Sequence, residues 1–249
     1  MITVDYRDDV AVVRLSRSVT NALNLELVNQ LRDTLERIEH DPNVCGLVLG
    51  TSSDKFFSIG FDIPQLFDLT RKEFEIFYWA INQTCFDLYT MPKPTVAALT
   101  GHAIAGGCIL ALCCDDRFIA DGRKLMGLNE IKLGVPVPYV ADRVLQDLVG
   151  VQKAREIIDG GEFYATEASL RMGMVDQVLP PEQVMARSIE KVKLTGVSDR
   201  EAFAQTKRVR VVAIEAPVLA RQEEETQLFM ERWYSDEARE RLREAMEKF

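Results

Sequence analysis

The chain has 249 residues, and its 30 lysine and arginine residues against 39 aspartate and glutamate residues give a formal net charge of −9 at pH 7. This length allows a substantial buried core, whereas the acidic balance argues against broad binding to nucleic acids, which needs a basic surface. No apolar run is long enough to span a membrane, and no charged and apolar leader follows Met1. We therefore expect a cytoplasmic protein, or a protein of an organelle matrix from which a leader has been removed.

The cysteines favour neither a disulfide framework nor a zinc site. Their number, five, is odd, no C-x-x-C pair occurs, and the two histidines are not clustered. Each cysteine lies in an apolar run, so we predict buried, free thiols in a reducing compartment and no metal site. The five are Cys45, Cys85, Cys108, Cys113 and Cys114.

Strand and helix signals alternate up to about residue 180. Alternating β-rich residues at 2–6 and 10–15 predict a hairpin, and Asn24 is placed to cap a helix that ends at Asp41. The near-continuous apolar run at 44–49 predicts a strand that is covered on both faces. Further along we predict strands at 95–100, 117–120 and 174–179, and helices at 73–89, 139–148, 151–158 and from Thr166. This alternation is typical of an α/β fold.

Helical signals dominate after Pro180. We expect the segments 215–217 and 234–236 to interrupt this helical tail, since they contain a proline and a serine cap. Ser235 would begin a last helix whose apolar face is formed by Ala238, Leu242, Ala245 and Phe249. The tail is too small for a core of its own, so we predict that it packs on the rest of the chain or on another subunit.

Two glycine-containing segments are the candidates for a functional site. They read FFSIGFDI at 56–63 and GHAIAGGC at 101–108, and the second leads from a strand-like run into an apolar, helix-like run. Glycine lets backbone approach a ligand closely, and the free N–H groups of a helix start bind an oxygen that is negative or becoming negative. The sequence therefore indicates a backbone site for a developing oxyanion.

The two segments resemble, in order, the F-x-A-G-x-D and N-G-x-x-x-G-G-G loops of the enoyl-CoA hydratase/isomerase (crotonase) superfamily. The similarity runs from Asn21 to Val178, is most detailed toward the isomerases of that family, and covers nearly the whole chain. It implies a crotonase-like spiral of ββα units at residues 1–195, which holds an acyl-CoA thioester. It also implies a C-terminal helical region at 196–249 that oligomerises into a homotrimer or a dimer of trimers.

The resemblance assigns the site residue by residue. The two oxyanion-hole donors map to the backbone N–H groups of Phe61 and Gly106, and loss of one such donor typically costs about 3–4 kcal/mol. Asp62 is more consistent with bracing its loop, because aspartate commonly accepts hydrogen bonds from nearby backbone N–H groups. His102 is expected to be structural. The residues expected to contact the substrate are Ser58, Ile59, Gly60, Phe61, Asp62, Gly106 and Ile109.

One of the two carboxylates of the family's hydratases is replaced. Their first glutamate position is Ile109 here, and the second matches Glu130. Hydration must activate a water molecule, whereas one carboxylate can move a double bond by taking a proton from C2 and returning it to C4. We therefore assign Glu130 as the single general acid/base, and we predict that its apolar neighbours Leu128, Ile131 and Leu133 raise its pKa by desolvation.

The resemblance and the single carboxylate predict an isomerase that moves the double bond of 3-enoyl-CoA thioesters to the 2-position through a dienolate, as in fatty-acid β-oxidation. No metal or redox cofactor is implied, because the thioester activates the proton and coenzyme A is part of the substrate. Nucleic acid and membrane partners are not expected. Enoyl-CoA hydration, another reaction of the same enolate, or a non-catalytic acyl-CoA-binding role remain alternatives. The segment 135–138 differs from the isomerases, which leaves the acyl chain length open.

Overall fold

The computed structural model describes residues 1–196 and 199–247. This part of the chain forms two β-sheets, ten α-helices and one 3-10 helix at Glu130–Leu133. The strands are β1 (Ile2–Arg7), β2 (Val10–Leu15), β3 (Gly46–Thr51), β4 (Phe56–Ser58), β5 (Thr95–Leu99), β6 (His102–Ile104), β7 (Asp116–Ala120), β8 (Leu125–Gly127), β9 (Phe163–Ala165) and β10 (Gln177–Leu179). The helices are α1 (Leu25–His40), α2 (Ile63–Leu66), α3 (Arg71–Thr90), α4 (Gly106–Leu112), α5 (Tyr139–Val149), α6 (Val151–Gly160), α7 (Thr166–Met172), α8 (Pro181–Gly196), α9 (Arg200–Trp233) and α10 (Asp236–Met246).

The larger sheet has six strands in the order β1-β2-β3-β5-β7-β10. The predicted hairpin β1–β2 is confirmed and antiparallel, and the other neighbours pair in parallel. Every residue of β3 and β5 is buried. Burial on both faces explains why these strands are continuous apolar runs rather than alternating ones.

The smaller sheet positions the candidate site. Strands β4, β6 and β8 pair in parallel, with Ser58 opposite Ala103 and Ile104 opposite Gly127, and β9 closes the sheet in antiparallel pairing. Carboxyl ends of parallel strands meet at one edge of a sheet. The segments that follow these three strands therefore converge, although they are far apart in sequence.

Side-chain caps set the starts of two long helices. The Asn24 side chain accepts a hydrogen bond from the Leu27 N–H at 3.0 Å, which confirms the predicted start of α1. Thr70 and Glu73 form a reciprocal capping box, so α3 begins two residues before the predicted position. Both caps satisfy N–H groups that have no partner inside the helix.

The predicted interruption at 215–217 is wrong, because α9 continues through Pro217 as one helix. Proline removes one intrahelical hydrogen bond and crowds the preceding turn. Here Ile214 and Val218 are buried on either side of it, so packing against the rest of the chain holds both turns in place. The burial of a helix face outweighs the local preference of a single residue.

The predicted break at 234–236 is confirmed. The Ser235 hydroxyl accepts a hydrogen bond from the Ala238 N–H at 3.3 Å and begins α10. Ala238 and Leu242 are buried, whereas Phe249, which was expected on the same face, lies outside the described residues. Helix α10 packs against the 3-10 helix and α2, and α9 packs against α3 and α5.

Aromatic stacking joins the tail to the rest of the chain. The ring of Trp233 lies 4.2 Å from that of Phe74, and the ring of Phe229 lies 4.1 Å from that of Tyr78. Phe229 and Trp233 thus make their aromatic contacts within the chain.

All five cysteines are free and buried, as predicted. Among the residues described above, no helix combines the length and the apolar character that crossing a bilayer requires.

Candidate active site

A cavity of about 630 Å³ lies where the segments after β4, β6 and β8 converge. Each of the three segments contributes at least two residues to its wall. The first two from each segment are Ile59, Phe61, Ala105, Gly106, Asn129 and Glu130. The cavity therefore brings together both glycine-containing segments and the candidate base, as their placement on parallel strands requires.

The two loops touch at glycine. Gly60 has a φ of +90°, and a Cβ atom on it would lie 2.9 Å from both the Gly106 nitrogen and the Ala105 Cβ. A side chain at this position would be strained and would push the loops apart. Ala105 also has a positive φ, 48°, which is unusual for a residue other than glycine. This turn starts α4 at Gly106, whose N–H lies in the first turn of the helix.

The backbone around Phe61 is fixed on both sides. The Leu23 N–H donates to the Gly60 carbonyl at 2.7 Å, and the Asp62 N–H donates to the Leu23 carbonyl at 2.9 Å. Within the described residues, the N–H groups of Phe61 and Gly106 donate to no backbone or side-chain acceptor. Since both residues line the cavity, two donors are available there to a ligand oxygen.

Ser58 and Asn21 brace the first loop from below. The Ser58 hydroxyl donates to the Asn21 carbonyl at 2.8 Å and accepts from the Gly60 N–H at 3.1 Å. The buried Asn21 amide donates to the Thr51 hydroxyl at 2.9 Å and to the Phe57 carbonyl at 3.2 Å. Sequence reasoning missed this role of Asn21, because its partners lie 30 and 36 residues away.

Asp62 braces the loop from its other end, which confirms the bracing prediction. Its carboxylate accepts from the Gln65 N–H at 3.2 Å and so caps α2. It also forms an ion pair with Arg17 at 2.6 Å. Ser58, Gly60 and Asp62 are absent from the residues that line the cavity, so their visible contribution is to hold the loop rather than to form its wall.

Glu130 is the buried carboxylate of the cavity. It is only 6% exposed, and its Oε2 atom has no hydrogen-bond partner in the described part of the chain. Burial raises its pKa to about 7, although the nearby backbone N–H groups of Glu130 and Asn129 act in the opposite direction. The predicted rise in pKa is confirmed, and Glu130 can both accept and release a proton near neutral pH.

Ile109 lies in α4 within the main apolar core and is not one of the cavity-lining residues. Apart from Glu130, one other carboxylate lines the cavity in the described residues, that of Glu244 on the exposed surface of α10. The cations that line the cavity rim, Lys132 and Arg241, were not singled out from the sequence, because they are isolated charges in segments without a motif.

His102 is structural, as predicted. Its Nδ1 atom accepts a hydrogen bond from the Leu125 N–H at 3.0 Å, and its ring lies 5.1 Å from that of Phe56. Desolvation, followed by the charges of Lys124 and Lys55, lowers its pKa. The ring lines the cavity as a part of the small sheet.

The sequence matches the enoyl-CoA hydratase/isomerase family model over residues 5–249. The chain therefore belongs to the enoyl-CoA hydratase/isomerase family, and it has the crotonase fold. It resembles the solved human mitochondrial delta3-delta2-enoyl-CoA isomerase with a TM-score of 0.96 at 27% identity, over 99% of this chain and 97% of that one.

Curated relatives include proteins named for two different reactions. Enoyl-CoA delta isomerase 1 of Mus musculus is 31% identical over 72% of this chain, and the match spans 62% of the length of that relative. Crotonyl-CoA hydratase of Syntrophomonas wolfei is 32% identical over 74% of this chain and 71% of its own length. Identity alone does not separate the two reactions.

Proposed function

We propose that the protein is a delta-3,delta-2-enoyl-CoA isomerase that moves the double bond of 3-enoyl-CoA thioesters to the 2-position. The observation that carries the proposal is a single buried carboxylate, Glu130, with a pKa of about 7, in a cavity with two unused backbone N–H groups. One such base and two such donors suffice for a proton shuttle next to a thioester.

In the proposed reaction, the thioester oxygen accepts hydrogen bonds from the N–H groups of Phe61 and Gly106. The Glu130 carboxylate removes a proton from C2, and the electron pair moves through C1 to the oxygen, giving a dienolate. The protonated Glu130 then returns the same proton to C4 as the double bond forms between C2 and C3. Nothing is oxidised or reduced, and no water is consumed.

The thioester itself activates the C2 proton, so we propose that no metal or redox cofactor takes part. Ile109 supports isomerisation over hydration, since an apolar residue stands where the family's hydratases have a glutamate. The contacts of Ser58, Gly60 and Asp62 would hold the loop and its donor in place, and Ile59, which lines the cavity, would contact the thioester. We place the reaction in fatty-acid β-oxidation, in the cytoplasm or an organelle matrix.

Hydration of a 2-enoyl-CoA is the second candidate. It is favoured by the similarity to crotonyl-CoA hydratase and by Glu244, which also lines the cavity. Glu244 lies on the exposed surface of α10, so it is a weaker candidate for activating water in a dry site.

The two candidates differ in what they do to a conjugated thioester. The purified protein is incubated with a 3-enoyl-CoA and, separately, with a 2-enoyl-CoA, and the absorbance of the conjugated enoyl thioester is followed. An isomerase gives a rise with the first substrate and no loss with the second. Loss of absorbance with the second substrate, together with incorporation of labelled water at C3, would establish hydration instead. No change with either substrate would favour a binding role.

We further propose that residues 196–249 mediate assembly into a homotrimer or a dimer of trimers. One face of α9 supports this, because apolar side chains on it are exposed at the spacing of helical turns. They are Val209, Val212 and Leu219. Light scattering coupled to size exclusion measures the mass, and a monomer at micromolar concentration would contradict the proposal.

A further inference from the structure

We propose that Phe229 and Trp233, on α9, close the acyl end of the cavity and restrict the enzyme to short-chain 3-enoyl thioesters. The inference rests on the proposed function in one respect only, that the ligand is an acyl-CoA thioester bound at Phe61 and Gly106. Neither residue takes part in the proton transfer. Their role is to limit how far the acyl chain extends beyond the reacting carbons.

The residues that line the cavity differ in exposure, from which we infer one exposed end and one buried end. Lys132, Arg241 and Phe163, which is 40% exposed, line the exposed end. Phe229 and Trp233, which are 2% and 1% exposed, line the buried end. A coenzyme A moiety is large, polar and anionic and must reach solvent, so the acyl chain is directed toward the buried aromatic side chains.

The buried end is a packed wall rather than a soft boundary. The Trp233 ring stacks on the Phe74 ring at 4.2 Å, and the Phe229 ring stacks on the Tyr78 ring at 4.1 Å. Phe74 and Tyr78 are themselves buried in the core. Close-packed aromatic layers do not yield to an extra methylene group without displacing a side chain, which is costly.

The wall also lies close to the reacting end of the ligand. The Phe61 ring is 6.4 Å from the Trp233 ring, and Phe61 supplies one of the two proposed donors to the thioester oxygen. The same residue thus fixes the carbonyl and contacts the layer that ends the chain. Because the ring of the residue that would hold the carbonyl packs near the wall, we assign short chains.

The test is a chain-length profile of kcat/KM with 3-hexenoyl-, 3-octenoyl-, 3-decenoyl- and 3-dodecenoyl-CoA. We expect the native protein to prefer 3-hexenoyl-CoA and to lose activity as the chain lengthens. Trp233→Ala and Phe229→Leu open the wall, so each added methylene group that becomes buried should raise kcat/KM by about fourfold. Val135→Phe, which adds bulk to the cavity wall, should shift the preference further toward short chains.

A graded variant and a control separate the wall from general damage. Trp233→Phe keeps an aromatic ring but removes volume from the wall, so its profile should lie between those of the native protein and Trp233→Ala. Tyr234→Phe is the control, because it removes a hydroxyl that donates to the Leu69 carbonyl, away from the cavity, and should leave the profile unchanged.

Binding of saturated acyl-CoAs of the same lengths, measured by calorimetry, needs no turnover. A length limit in binding without isomerisation would contradict the proposed reaction but support the wall. A native preference for 3-dodecenoyl-CoA, or a folded Trp233→Ala protein with an unchanged profile, would overturn the inference. If Trp233→Ala does not fold, Phe229→Leu and Val135→Phe decide the question by shifting the profile in opposite directions or leaving it in place.

Discussion

Gly60 and Gly106 lie in direct contact, although 46 positions separate them: a Cβ atom on Gly60 would stand 2.9 Å from the Gly106 nitrogen. The two residues belong to loops that carry the two proposed oxyanion donors. Their contact fixes the separation of those donors, and glycine is required because of both its positive φ and the close approach.

Gly60→Ala should therefore impair catalysis more than folding. Displacing one donor is expected to lower kcat by about 10²–10³-fold. Gly122→Ala is a matched control, since Gly122 has nearly the same φ, +91°, but no atom within 4 Å of an added Cβ. An alanine at position 122 is strained by the positive φ, by about 1–2 kcal/mol, but its Cβ atom collides with no other atom. Steady-state kinetics and thermal unfolding of both proteins measure the difference, and equal activity in the two would contradict the assignment of the donors.

Glu130→Gln should abolish isomerisation and leave thioester binding nearly intact. The amide has the size of the carboxylate but cannot accept the C2 proton, so we expect a loss of at least about 10²-fold in kcat. Binding of a saturated acyl-CoA should change little. Glu244→Gln is the comparison variant, since it alters the other cavity carboxylate and should retain activity. Retained activity in Glu130→Gln and lost activity in Glu244→Gln would assign the proton transfer to Glu244 instead.

The pH dependence of activity follows from the same residue. Because the pKa of Glu130 is raised to about 7, the reactive carboxylate is lost as the pH falls through this value. We expect kcat/KM to fall about tenfold for each pH unit below 6 and to level off above 8. A profile that bends near pH 4.5 instead would show that Glu130 is not desolvated in the working enzyme.

The contribution of Glu130 to the free energy of unfolding should fall as the pH rises, whereas activity should rise. A carboxyl whose pKa is raised by folding is more stable in its protonated form, so its contribution is full below about pH 4.5 and is lost as the pH rises through 7. A shift of this size corresponds to about 3 kcal/mol. Glu130→Gln removes the dependence and should unfold at higher urea concentration than the native protein at pH 8, with no such gain at pH 4.5.

The buried pair of Lys207 and Asp115 fastens α9 to the larger sheet. The ammonium group of Lys207, a residue only 2% exposed, lies 2.8 Å from the Asp115 carboxylate, which also accepts hydrogen bonds from the Thr95 N–H and hydroxyl. Lys207→Ala leaves the Asp115 charge without its buried partner and should reduce the free energy of unfolding by about 3–5 kcal/mol.

Lys191 offers the matched surface pair. Its ammonium group lies 3.3 Å from Asp116, and its side chain is 40% exposed, so Lys191→Ala should cost less than about 1 kcal/mol. Urea unfolding of both variants checks the difference. Similar losses would mean that the pair of Lys207 and Asp115 is as well solvated as the surface pair.

The sequence predicts an element correctly where the interaction that forms it joins residues close together in the chain. The caps at Asn24 and Ser235 act on residues three positions away, so the sequence predicted both helix starts. Strands β6, β8 and β9 have three residues each, too few for a period to be visible, and they become strands only through their neighbours.

The same distinction holds within the candidate site. Glu130, Phe61 and Gly106 lie in recognisable motifs, and they reach one cavity because parallel strands carry them. The bracing of the loop by Arg17 and the position of Trp233 in the cavity wall depend on contacts between segments that are distant in sequence. No periodicity reports such contacts, and an isolated arginine or tryptophan has no local pattern that marks its partner.

The pairing of the small sheet has a consequence for how this chain tolerates insertions and deletions. Glu130 is placed by the pairing of Gly127 with Ile104 and by the hydrogen bond from the Ala105 N–H to the Gly127 carbonyl, at 2.9 Å. The length of the connection that precedes β8 does not affect this position of Glu130. Connections outside the sheet can thus lose or gain residues over evolution while the proposed base keeps its distance from both proposed backbone donors.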